Sequence, residues 1–277
     1  DALPIYPDGT WKLAEFYNGL GLDDAAPDSD WEGRLAGLER WVKARPESIT
    51  ARVAWAQTEV AYAWKARGTG LMYTVPASAY RTFVSRARLA MGFMEAASGL
   101  KEKCPFGTLA VLSAARGLSA QAEQFYRALS DGIRFDPSFV GDYVAGVTYL
   151  LPRWFGTNDT EAELFLKRHA KTLGKDEADV LYARVAWAID MSNQFSNPMH
   201  ECHFSWERVD RGFRLLEKRY PDSLSVRSAH ARLAGFAAGP AVTRRLIERL
   251  DGRVDASIWT PLNQFREHVQ FAYGLKS

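Results

Sequence analysis

The sequence predicts an all-α protein: an irregular, tetratricopeptide-like (TPR-like) array of antiparallel helix pairs, or α-solenoid. Three observations carry this. Apolar residues recur at steps of three and four along almost the whole chain, prolines halt successive helical stretches, and no segment alternates apolar with polar residues as a half-buried strand does. No linker divides the 277 residues convincingly. The expectation is therefore a single helical-repeat domain over 1–277, with 1–30 as an N-terminal capping segment. A chain of this length suits stacked units, because each packs only on its neighbours.

The clearest helix runs through Trp206, Val209, Phe213, Leu216 and Tyr220, one apolar stripe with Glu207, Arg208, Asp210, Arg211 and Arg214 on the wet face. Ser205 stands at its N-cap and Pro221 stops it. The same reading gives Trp31, Leu35, Leu38 and Trp41 ending at Pro46, and Ala122, Phe125, Leu129 and Ile133 ending at Pro137. Each stop is followed by another helix: Ile49 to Trp64, Phe139 to Leu151, and Val226 to Ala237. Further helices are predicted near 10–20, 78–98, 107–117, 159–173, 177–192, 241–250 and 260–273, with a surface loop over Gly68–Pro76.

The three junctions read Arg45-Pro46-Glu47-Ser48, Asp136-Pro137-Ser138 and Tyr220-Pro221-Asp222-Ser223, and the helices they open run toward Gly68, Gly156 and Gly239. Proline in a first turn loses no hydrogen bond, and glycine past a helix end accepts the left-handed conformation, so both ends of one recurring unit are marked. The prolines lie much farther apart than the roughly 34 residues of a regular tetratricopeptide unit, so the repeats are irregular.

Bulk composition excludes several function classes. Hydrophobic residues make up 47% and charged residues 25%, which indicates a folded chain. A net charge of +2 is too small to generate the field that non-specific nucleic-acid binding needs, so no nucleic-acid partner is expected. No apolar run approaches a bilayer's width. The longest, Val140 to Leu151, is interrupted by Gly141, Asp142, Gly146 and Thr148, so no transmembrane segment is expected. A chain beginning at Asp1 without a leader reads as a processed or trimmed form. The expected compartment is periplasmic or extracellular, with the cytoplasm as the alternative.

The segments Ala51 to Gly68 and Tyr149-Leu-Leu-Pro-Arg-Trp-Phe-Gly156 resemble a tetratricopeptide-like bacterial family of unknown function with a Leu-Pro-Arg-Trp motif, as does Trp206 to Pro221. The resemblance spans roughly Trp31 to Phe271. The family pattern carries a second glycine beside the tryptophan, where this chain has Phe155. The resemblance implies the fold and transfers no catalytic residue.

Several residue groups invite a chemical reading. His200-Glu201-Cys202-His203 places metal-ligating types together, with His200, Cys202 and His203 as the candidate ligands, although remote ligands are needed to complete a zinc site. His169 and His230 lie on apolar stripes and read as core histidines. Cys104 and Cys202 are the only cysteines and form a disulfide candidate, with separate thiols as the alternative. Acidic groups at Asp23-Asp24, Asp28 with Asp30, Glu161 with Glu163, and Asp176-Glu177 with Asp179 sit mostly at helix starts. There a negative charge meets the helix dipole favourably, without a catalytic role. The common nucleotide-binding and hydrolase motifs are absent. Arg244, Arg245, Arg249 and Arg253 are interleaved with acids and read as a solvated face.

Among nine tryptophans, Trp31, Trp41, Trp64 and Trp206 fall on buried stripes, whereas Trp154 follows Pro152 and Arg153 at a helix end. Arg153 and Trp154 can line a groove and hold a carboxylate or an aromatic group. The function expected is a non-enzymatic scaffold that binds a protein or peptide partner on a concave surface, with no cofactor. The alternative is a small-ligand-binding protein or metal-dependent enzyme that uses His200–His203 or a pocket near Arg153 and Trp154.

Overall fold

The computed structural model describes residues 5–68, 70–118, 122–158, 160–192 and 194–275. These residues form fourteen α-helices: α1 (Lys12–Asn18), α2 (Asp28–Ala44), α3 (Ile49–Arg67), α4 (Ala77–Ala96), α5 (Phe106–Gly117), α6 (Ala122–Phe135), α7 (Val140–Tyr149), α8 (Glu161–Ala170), α9 (Lys175–Met191), α10 (Pro198–Glu201), α11 (Trp206–Arg219), α12 (Leu224–Ala237), α13 (Pro240–Glu248) and α14 (Asn263–Tyr273). No helix is long and apolar enough to cross a membrane among the described residues. Two compact units can be distinguished: Trp11–Ala145, and the residues up to Thr10 together with Gly146 onward.

The proline junctions build the helix pairs, by a different route from the one the sequence pattern implies. Pro46, Pro137 and Pro221 lie in tight turns between helices, outside the first helical turn. In each turn a backbone N–H three residues on donates to the residue before the proline: Ser48 to Arg45 at 3.0 Å, Phe139 to Asp136 at 3.1 Å, Ser223 to Tyr220 at 3.1 Å. At the first and third of these turns serine then opens the next helix. The Ser48 hydroxyl accepts from the Ala51 N–H and that of Ser223 from the Val226 N–H, both at 3.2 Å. Ser205 occupies the N-cap of α11 without such a bond.

The three glycines play three different parts. Gly68 ends α3 with φ of 73°, which favours glycine. Gly156 has its backbone pressed on the Leu150 carbonyl, where a side chain would collide. Gly239 is the extended N-cap of α13. The Gly68–Pro76 loop, of which Thr69 lies outside the described residues, contains a 3-10 turn over Met72–Thr74 and exposes Leu71, Met72 and Tyr73.

In the Trp11–Ala145 unit α3 is the central helix. Its Ala56, Val60 and Ala63 pack on Phe83, Ala87 and Ala90 of α4 and on Ala110 and Ala114 of α5. Small side chains bring the helix backbones close, which is why an alanine-rich stripe serves as core here. Trp31 is 1% exposed and stacks on Tyr62 with centroids 5.3 Å apart, whereas Trp41 and Trp64 are only half-buried. A second cluster gathers Tyr17, Ile49, Val53 and Phe106, with Trp11 and Phe139 against it.

In the other unit α9 is buried along most of its length, and α11 lies so close to it that the Asp179 carbonyl fills the space a Cβ on Gly212 would need. Asp179 and Glu163 are themselves buried. Asp179 holds Arg208 and Arg211 at 2.8 Å each, and Glu163 accepts from the Tyr182 hydroxyl at 3.0 Å and pairs with Lys167 at 2.7 Å. These two acids therefore bind helices together, beyond the dipole role read from their positions. His230 is a core residue: Nδ1 faces Glu217 at 2.8 Å, Nε2 faces Asp210 at 3.1 Å, and the ring stacks on Phe213. His169 is half-buried against Phe165. Arg244 and Arg249 are paired with Glu248 and Glu217, as a solvated face requires.

His268 of α14 packs edge-on against Trp259 and Phe236, and its Nδ1 is buried without a hydrogen bond. Burial, aided by the Arg232 guanidinium, pushes this imidazole down to about 4. An unfolded histidine titrates near 6.5. The folded value is the lower one, so the stability of the neutral ring is full above about pH 6.5 and is lost as pH falls toward 4. At pH 4.5 the loss is roughly 2–3 kcal/mol. Urea unfolding followed by tryptophan fluorescence at pH 7 and 4.5 checks this against His268→Gln. The gap between wild type and variant should narrow by that amount on acidification, and a constant gap would refute the assignment.

Candidate binding groove

The Trp11–Ala145 unit carries an open groove of about 710 Å³ between the C-terminal half of α4, the start of α5 and one face of α6. Its walls follow from helical spacing. Met91, Gly92, Met94 and Glu95 line it from α4, Gly107, Thr108 and Val111 from α5, and Gln124, Arg127, Ala128, Asp131 and Phe135 from α6. Those α6 positions recur every three or four residues, opposite the stripe of Phe125, Leu129 and Ile133 that enters the core. The volume lies within the range of natural ligand clefts.

The floor is apolar and the rim is charged. Met91, Met94, Val111 and Cys104 are half-buried, whereas Arg88, Glu95, Lys103, Arg127 and Asp131 are exposed. Part of that charge is committed elsewhere: Arg127 pairs with Glu123 at 3.0 Å, Asp131 with Arg134 at 2.9 Å, and the Lys103 ammonium is held by the Ser98 carbonyl. Cys104 sits at the edge with its sulfur 3.6 Å from the Tyr17 hydroxyl, and burial pushes its thiol up. Gly92 lines the mouth, and a Cβ added there meets nothing within 4 Å.

Beneath the contact between Thr108 and Gly132 lies Asp142, in the first turn of α7. Its side chain is 0% exposed, neither carboxylate oxygen has a hydrogen-bond partner, and Oδ2 occupies the space a Cβ on Gly132 would take. Burial, with the neighbouring Asp136 charge, pushes this carboxyl up to about 8. A carboxyl in that state is neutral at pH 7 and can donate one hydrogen bond.

No family model, curated protein or solved structure matches the chain.

Apart from Cys104, the residues singled out from the sequence lie elsewhere. Arg153 is exposed and its guanidinium carbon stands 5.9 Å from the half-buried Trp154 ring, in the turn that follows α7. That turn is anchored by Phe155, which stacks on Tyr149 at 4.5 Å. The His200–His203 cluster is spread apart by the one-turn helix α10, which Asn197 caps and Pro198 starts. Cys202 turns into the core, fully buried, while His200 and His203 stay at the surface with ring centroids 6.3 Å apart. A run of four residues across a helix end points its side chains in different directions. Among the described residues no three His, Cys, Asp or Glu side chains are gathered in a metal-binding group. Cys104 and Cys202 are both free thiols. The first faces Tyr17, and the second is enclosed in the core, where burial pushes it up to about 12.

The sequence reading missed the groove because its residues come from three helices and share no motif. Two signals were present. Met91 and Met94 are one helical turn apart, and Asp142 interrupts an otherwise apolar run.

Proposed function

We propose that the chain is a non-enzymatic, tetratricopeptide-like helical scaffold that binds a segment of a partner polypeptide in the groove of α4, α5 and α6. The groove itself carries this reading: an open trough with an apolar floor and charges of both signs along its rim. Methionine at two floor positions lets the surface adapt to side chains of different shape. The rim charges fix orientation and register more than they add affinity. The paired helices joined by Pro-Ser turns support the repeat-like part of the proposal, since such pairs bury their apolar faces by stacking.

Gly92 makes the test clean. Gly92→Trp fills the mouth of the groove with an indole. It leaves the fold intact or slightly more stable, because replacing a mid-helix glycine gains on the order of 0.5–1 kcal/mol. Peptides selected from a displayed library on the full chain should bind this variant at least tenfold more weakly and shield Cys104 from a thiol reagent in the wild type. Peptides that bind Gly92→Trp as well as wild type, and leave Cys104 equally reactive, would place the binding surface elsewhere.

A further inference from the structure

We infer that Asp142 is the specificity group of this groove and that it takes a primary ammonium on an unbranched stem, such as a lysine side chain of the bound segment. The inference rests on the groove being the binding site and narrows what it accepts.

Two observations carry it. First, a fully buried carboxyl with both oxygens unpaired is rare in a folded protein, where buried polar groups nearly always find partners. Second, its position is not random with respect to the groove. Oδ2 lies against the backbone of Gly132, and the Thr108 γ-methyl is 2.7 Å from where a Cβ on Gly132 would stand. Both of these covering residues line the groove, so the carboxyl is the next layer under its floor. An ammonium on an unbranched stem needs a narrower passage past Gly132 and Thr108 than a planar, forked guanidinium does.

The charges around the carboxyl fit a cationic guest. Among the described residues no cation pairs with Asp142. The titratable neighbours are Asp136 in the turn before α7 and Tyr143 beside it, while α5 presents Thr108. On the rim, Arg88, Lys103 and Arg127 are exposed to solvent, as are Glu95 and Asp131. An ammonium entering from the groove therefore meets a carboxyl whose ionisation nothing else compensates. Docking an ammonium makes Asp142 ionise, so one proton leaves the protein for each amine bound near neutral pH. Below about pH 8 the apparent affinity for the amine rises close to tenfold per pH unit.

The experiment titrates the full chain with Nα-acetyl-lysine amide and with its uncharged counterpart Nα-acetyl-norleucine amide, by calorimetry in two buffers of different ionisation enthalpy. Cys104 labelling is followed in parallel. The lysine probe should bind at least tenfold more tightly than the norleucine probe and release about one proton at pH 7. In Asp142→Asn both the preference and the proton release should vanish while the norleucine affinity stays unchanged. If both probes shield Cys104 equally, without proton release, the groove stands as a binding site and the role of Asp142 falls. If neither probe binds, the role of Asp142 falls, while the groove is decided by the selected peptides and Gly92→Trp. A lysine preference that survives in Asp142→Asn assigns the ammonium to the rim acids and overturns the inference.

Discussion

Asp142→Asn is expected to make the Trp11–Ala145 unit more stable at neutral pH, by up to about 4 kcal/mol at pH 7. An aspartate in the unfolded chain titrates near 3.9, whereas burial and the Asp136 charge push the folded group up to about 8. The folded value is the higher one, so the fold must hold a proton that the unfolded chain releases between these values. The penalty is absent below about pH 3.9, grows by roughly 1.4 kcal/mol per pH unit, and levels off above about pH 8. Stability of the wild type therefore declines as pH rises through that window. Asparagine keeps the shape and removes the charge change. Urea unfolding at pH 5, 7 and 9, followed by tryptophan fluorescence, should show the variant's advantage widening from roughly 1.5 kcal/mol to about 4 and then to about 5–6. An advantage independent of pH would mean that Asp142 is ionised in the fold. A residue that weakens its own domain under ordinary conditions is the kind of position where function opposes stability.

The second large effect is expected at Asp190 and Arg232, in the unit that contains α9 and α12. The Arg232 guanidinium donates to both carboxylate oxygens, at 2.6 and 3.0 Å, and to the Ile258 carbonyl at 3.0 Å, and both side chains are buried. Removing one member leaves the other charge in the core without compensation. Arg232→Met and Asp190→Leu should each lose about 3–5 kcal/mol, whereas the double variant should recover most of that loss, because an apolar pair avoids the desolvation of two ions. Guanidinium denaturation of all four proteins forms the cycle that measures the coupling. Additive losses in the double variant would show that the pair contributes packing and not charge neutralisation.

The helices were legible because their signals are local. The stripe of Val209, Phe213 and Leu216, the serine that starts α3 and the proline stops all act within a few residues, and the predicted and observed helix limits agree closely at α3 (Ile49–Arg67) and α11 (Trp206–Arg219). The small helix α10 has no counterpart among the predicted helices, since four residues are too few to show a period. The proline and glycine roles were assigned by position alone. Tertiary contact reassigned them, most plainly at Gly156, whose use is close backbone approach and not a left-handed turn.

The candidate site was less legible, for a related reason. Arg153, Trp154 and His200 to Cys202 draw attention as neighbours in sequence, yet the fold points Cys202 inward and leaves His200 outside. The groove works the other way. Met91, Thr108, Gly132 and Asp142 lie on four different helices and become neighbours only when those helices pack.

Sequence by itself determined that this chain is helical, where its main helices begin and end, and that no helix is apolar enough to span a bilayer, because helix period, capping and hydropathy are properties of short segments. Only the tertiary structure decided which acids are buried, which carry a partner, and which one lies unpaired beneath a groove. Burial and pairing are set by residues distant in the chain, and a carboxyl's charge depends on what surrounds it in space.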